Sequence, residues 1–132
     1  MTAHAGVAAW HAYMAGGGDP QVLRDLLAED AVFHSPVVHT PQEGRDKVFA
    51  YLHAASHALG GDDFRYLREI VEGDQAMLEF QTELEGIQVN GVDIIRWNDD
   101  GQIVDFKVMV RPLKAMNKVW EKMAAMLAAQ SG

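Results

Sequence analysis

Ala76-Met77-Leu78-Glu79-Phe80-Gln81-Thr82-Glu83-Leu84-Glu85 decides the fold. The even positions are apolar or Thr, and the odd positions are Met77 followed by polar residues. A period of 2 sends the two sets to opposite sides of a pleated strand, so the segment predicts a strand with one face in a core and one outside. Val89 to Trp97 predicts its partner. Asn90-Gly91 is itself a hairpin signal. A reversal near Gly86 instead keeps Val89 to Trp97 whole and pairs it back on residues 76–85. Asn98-Asp99-Asp100-Gly101 predicts a turn, because these residues accept left-handed backbone and hydrogen-bond locally. Ile103 to Val110 predicts the last strand, ended by Arg111-Pro112.

Upstream of Phe64 the period is 3.6. Val7, Trp10, His11 and Met14 form one stripe of a first helix, which Gly16-Gly17-Gly18 ends. Asp19-Pro20 starts a second, short helix, with Asp19 as cap and Pro20 where its missing N–H is harmless. Val22, Leu23, Leu26 and Leu27 are its expected buried side. Ala31 to Ser35 reads as a strand stopped by Pro36, and residues 37–44 as a loop. Asp46 to Leu59 predicts a third helix with Val48, Phe49, Leu52, Ala55 and Leu59 inward, broken by Gly60-Gly61-Asp62-Asp63. Leu113 to Gln130 predicts a closing helix with Leu113, Met116, Trp120, Met123 and Leu127 as its apolar stripe. Helices followed by consecutive strands predict an α+β fold, with helices on one face of a largely antiparallel sheet.

The 132 residues make one domain, spanning 1–132. Apolar residues make up 48% and charged residues 23%, which excludes disordered and fibrous classes. Lys and Arg number 11 against 19 Asp and Glu, a net charge of −8 that repels phosphate backbones and anionic lipid. Nucleic-acid and membrane partners are therefore not expected. The absence of Cys excludes disulfides, zinc ribbons and thiol nucleophiles. Met1 to Met14 lacks Lys and Arg and does not read as a signal peptide, and no apolar run reaches bilayer length. The expectation is a soluble cytoplasmic protein. No Gly-x-Gly-x-x-Gly, phosphate loop or Gly-x-Ser-x-Gly elbow occurs, so no cofactor is expected.

Three stretches, taken with the element order, carry a resemblance: Leu27-Ala28-Glu29-Asp30-Ala31-Val32-Phe33-His34-Ser35-Pro36, then Glu43-Gly44-Arg45, then Gly91-Val92-Asp93-Ile94-Ile95-Arg96-Trp97-Asn98-Asp99-Asp100-Gly101-Gln102-Ile103. From about residue 7 to 110 the chain resembles the nuclear transport factor 2-like superfamily, in particular its SnoaL-like and ketosteroid-isomerase-like members. The resemblance implies a curved sheet wrapped around helices as a cone, a cystatin-like α+β roll, with an apolar pocket. It also implies a homodimer through the outer sheet face. The helix at 113–130 extends beyond the shortest members and has two expected places, over the pocket mouth or on a second subunit.

Asp93 is the most informative polar residue. It shares a strand face with Val89, Gly91, Ile95 and Trp97, and desolvation among such neighbours drives a carboxyl toward its neutral form. A neutral acid can donate a hydrogen bond to a developing oxyanion. Ketosteroid isomerase is the worked example of that device, and by resemblance Asp93 matches its oxyanion-stabilising Asp. The isomerase's other polar positions differ here. Its general-base position, just before the proline, is Ser35. Its oxyanion tyrosine falls at His11. Its supporting tyrosine falls at Leu52, beside Tyr51.

His11 lies in the first helix's apolar stripe, and an expected pairing with Asp93 would make an acid–base dyad. His34 is a second candidate base, brought inward only by a bulge before Pro36. Trp10, Phe33, Phe80, Ile95, Trp97, Val108 and Val110 are the expected apolar lining, with Ser35, Tyr51 and Leu52 at the walls. His53 and His57, at i and i+4, share a helix face, but no third ligand is identifiable and no metal site is assigned. Glu79, Glu83 and Glu85 read as a solvated or dimer-rim face, with Arg96 and Lys107 as cross-strand partners.

Two functional classes follow: a cofactor-free acid–base enzyme of isomerase, cyclase or hydratase type acting on a small apolar molecule, or a non-catalytic ligand-binding or dimeric interaction module. A cavity where Asp93 and His11 converge favours the first. A filled cone favours the interaction module.

Overall fold

The computed structural model describes residues 3–131, with side chains through residue 128. Met1, Thr2 and Gly132, which the single-domain reading includes, lie outside the described residues. The order is α1 (Ala3–Ala15), α2 (Pro20–Leu26), β1 (Leu27–His34), β2 (Gln42–Glu43), α3 (Arg45–Leu59), β3 (Arg65–Glu72), β4 (Gln75–Leu84), β5 (Ile87–Trp97), β6 (Ile103–Arg111) and α4 (Leu113–Ser131). One six-stranded curved sheet has the order β2-β1-β6-β5-β4-β3. It is antiparallel except where β1 runs parallel to β6.

The alternation of β4 is realised in full: Ala76, Leu78, Phe80, Thr82 and Leu84 are buried. On β5, Val89, Gly91, Asp93, Ile95 and Trp97 are buried. The reversal falls at Glu85-Gly86, both at positive φ, which Gly86 adopts without steric cost. Asn90-Gly91 is therefore inside a strand. Gly91 stands opposite Phe80, and a Cβ there would collide with the Phe80 ring and the Met109 carbonyl. The glycine is required by close packing.

Several expected details are corrected. β1 starts at Leu27, so Leu27 belongs to the strand core and not to α2, whose one buried residue is Leu23; Val22 is exposed. A two-residue strand, β2, lies in the segment read as a loop. α1 buries Ala3, Gly6, Val7, Trp10 and Tyr13, so its inner face is turned away from His11. On α4 the buried residues are Ala115, Val119 and Met123, while Leu113 is 75% and Trp120 42% exposed. Their spacing of i, i+4 and i+8 puts all three on one face, which packs on α3 and across β5 and β6 of its own chain. Burying each larger side chain contributes about 1.5–3 kcal/mol. Among the described residues no helix is long and apolar enough to cross a membrane.

Candidate functional site

β3 sets up the site through an irregularity. Its register with β4 shifts between Tyr66 and Arg68. A bulge changes which residues share a face. Tyr66 before it and Val71 after it both pack inward, although their spacing is odd. Glu69 has the same parity as Val71 and reaches the helix side, where it meets His11.

The inward Tyr66 hydroxyl donates to Asp93 Oδ2 at 3.0 Å. Trp10 Nε1–H donates to that same hydroxyl at 2.7 Å. Helix α1, β3 and β5 thus supply one hydrogen-bond chain: indole, phenol, carboxyl. Asp93 is 6% exposed, and Asp93 and Thr82 are the buried polar or charged residues among those described. Burial pushes the Asp93 carboxyl up to about 7, and the Tyr66 hydrogen bond opposes that shift. Burial, then the neighbouring Asp93 charge, raises Tyr66 far above the ordinary phenol range, so Tyr66 stays a donor.

A cavity of about 20 Å³ lies beside this chain, room for one water. Its walls include Trp10, Leu52, Phe80, Asp93 and Val108. Ser56, Leu59, Phe64, Tyr66 and Phe106 complete most of the rest. Aromatic packing closes it: Phe64 stacks on Phe80 at 5.3 Å between centroids and meets Tyr66 edge-on at 5.0 Å. The cone is nearly filled.

The expected His11–Asp93 dyad is not formed. His11 Nε2 is hydrogen-bonded to Glu69, its ring lies edge-on to Tyr66 at 4.9 Å, and it is partly exposed. Because Tyr13 takes the inward place, α1 turns His11 to the rim. His34 is not brought in either. Its Nε2–H donates to Asp105 Oδ2 at 3.1 Å, and it borders a surface groove with Ser35, His39 and Lys107. Ser35 Oγ accepts from the Val37 amide at 3.2 Å. Phe33 is buried against Tyr51 and Phe106, with centroids 5.9 and 6.2 Å away. Ile95 and Trp97 are core residues away from the cavity wall, Trp97 lying under Gly6. Val110 borders surface grooves on the outer face and beside His34.

His53 and His57 have centroids 4.4 Å apart. His57 Nε2–H donates to the Gly18 carbonyl at 3.0 Å, and His53 stacks on Phe49. Burial, then the neighbouring His57, lowers the His53 pKa. Among the described residues no group of three or more His, Asp or Glu is placed to hold a metal ion. On the outer face, Arg68 bonds Glu79, Asn90 Nδ2 donates to Glu79 at 3.0 Å, and Arg111 Nε donates to Asn90 at 2.9 Å. The cross-strand partner of Glu79 is therefore Arg68, not Arg96 or Lys107. Hydrogen bonds from Arg68 and then Asn90 hold the Glu79 carboxyl below its usual range.

Tyr66 and Phe64 carry the cavity and were not singled out from the sequence. Their signal is an i, i+2 aromatic pair directly after the Gly60-Gly61 break.

The fold, and a buried acid on its fifth strand, define a class. The profile of the SnoaL-like domain matches residues 7–106, and the chain belongs to that family within the nuclear transport factor 2-like superfamily. It is similar to a steroid delta-isomerase from Pseudomonas aeruginosa, with 38% identity over 97% of this chain and 93% of that one, at a TM-score of 0.89. An uncharacterized protein with a cystatin-like fold from Silicibacter pomeroyi DSS-3 is 35% identical over 91% of this chain and 83% of that one, at a TM-score of 0.82. A putative SnoaL-like polyketide cyclase from Jannaschia sp. CCS1 shares the fold at 15% identity, covering 86% of this chain and 90% of that one at a TM-score of 0.66. No curated protein matches the sequence.

Proposed function

We propose that the chain binds a small apolar molecule at Asp93 and moves a proton on it, as an acid–base enzyme of isomerase type. The observation that carries this reading is the Trp10–Tyr66–Asp93 chain in an apolar interior. A carboxyl held near neutrality by burial destabilises the folded state when it ionises, and perturbed acids of this kind cluster at functional sites. Protonated, Asp93 donates to a ligand oxygen. Ionised, it accepts a proton from a ligand carbon, with Tyr66 holding its orientation. An isomerisation asks for one such group, because the proton taken from one carbon returns to another. The steroid delta-isomerase relative agrees in class. The test is deuterium uptake by a small enolisable ketone such as cyclohexanone in D2O, read by mass spectrometry. Catalysed uptake that Asp93→Asn abolishes supports the reading; uptake no faster than buffer overturns the catalytic part.

The nearly filled cone favours a second reading, a non-catalytic dimeric module. Both readings share a homodimer through the outer sheet face. Ile70 (64% exposed), Met77 and Met109 lie there around the Arg68–Glu79–Asn90–Arg111 network and line a hollow of about 410 Å³. The network holds two guanidinium groups against one carboxylate, so the acidic charge of the chain is not concentrated on this face.

A further inference from the structure

Two walls of the Asp93 cavity, Met14 and Ser56, are also walls of a second cavity of about 130 Å³. That cavity lies at the C-terminal ends of α1 and α3, between Gly17-Gly18 and Gly60-Gly61, with His57 on its rim. The two shared walls differ in freedom. Ser56 Oγ is hydrogen-bonded to Tyr13 Oη at 2.7 Å and to the His53 carbonyl at 3.1 Å. Met14 is half-buried at the last turn of α1, where an unbranched thioether side chain changes rotamer readily. With Met14 swung aside, the inner cavity would open into this partly solvent-open pocket, about 150 Å³ together, the order of volume that holds one benzene ring in an enclosed apolar cavity. The joined space is apolar at its inner end apart from Asp93, Tyr66 and Ser56. Its outer end is bordered by an imidazole and glycine backbone.

We propose that the ligand of the Asp93 site is a single-ring or equally small apolar molecule carrying one oxygen, that it enters between the ends of α1 and α3 past Met14, and that fused multi-ring molecules are excluded by size. The inference rests on reading the Asp93 cavity as a ligand site. It separates this chain from the expectation of a four-ring substrate that the steroid isomerase relative suggests.

The test follows the Trp10 indole N–H signal of ¹⁵N-labelled protein during titration with cyclohexanone and with the two-ring ketone 1-decalone. Cyclohexanone is expected to shift that signal saturably in the wild type, and 1-decalone to leave it in place. Met14→Ala is expected to admit 1-decalone, and Met14→Phe to weaken cyclohexanone by about tenfold or more. The same spectra report whether each variant is folded, and the wild-type comparison needs no variant. Binding of 1-decalone to the wild type as tight as cyclohexanone overturns the size limit and leaves the Asp93 reading standing. Unchanged cyclohexanone affinity in folded Met14→Phe overturns the route. No response to either ketone in the wild type and in Met14→Ala overturns both this inference and the ligand site beneath it.

Discussion

The Tyr66 hydroxyl reaches Asp93 Oδ2 at 3.0 Å from two strands away, spanning β4 between them. The phenol takes a hydrogen bond from Trp10 as it gives one to Asp93, so removing it leaves polar groups unpaired at both ends. Tyr66→Phe is expected to cost about 1–3 kcal/mol in urea denaturation, the usual penalty for a buried donor left without a partner. It is also expected to raise the Asp93 pKa further, because the lost hydrogen bond is what opposes desolvation. A variant as stable as the wild type with an unmoved Asp93 would contradict this.

Asp93 makes stability depend on pH with a definite sign. Its folded value, about 7, lies above its ordinary value of 3.8, so the folded state binds more protons between them. Stability from this group is fully present below about pH 4 and is lost as pH rises through 7, on the order of 4 kcal/mol in all. Comparing wild type with Asp93→Asn by denaturation between pH 4 and 8 isolates the slope. The wild type is expected to lose stability relative to the variant as pH rises; parallel curves would exclude the shift.

Gly91→Ala places a methyl against the Phe80 ring and the Met109 carbonyl. Overpacking of this kind costs about 1–3 kcal/mol. Adding Phe80→Leu is expected to restore part of the loss by freeing the space over residue 91, and a thermal melt of the double variant checks it.

The outer face is expected to join two copies. Ile70→Glu puts a charge on its most exposed large apolar residue, beside Glu79. Sedimentation velocity should show a dimer for the wild type and a monomer for the variant, with the circular dichroism spectrum unchanged. A monomeric wild type would remove the interface.

Much of this was legible in the chain. The alternation around Phe80 fixed which face of β4 is inside, and the same parity on β5 put Asp93 there. The partner of Asp93 was hidden because the bulge after Tyr66 breaks the period on which such readings depend. His11 was misplaced because α1 is rich in small residues, so its sequence defines no single stripe. Tyr13, with Ser56 available to its hydroxyl, took the inner position. On α4 the large residues Leu113 and Trp120 are exposed and the buried line is Ala115, Val119 and Met123, so side-chain size alone does not reveal which face α4 turns inward. The parallel pairing of β1 with β6 joins segments some seventy residues apart, and no local pattern announces it.

The most direct test is a ¹³C NMR titration of the Asp93 side-chain carboxyl in the folded protein. A midpoint near pH 7 is expected. A midpoint at the ordinary aspartate value, near 3.8, would mean that this carboxyl is solvated, and the acid–base site would fall with it.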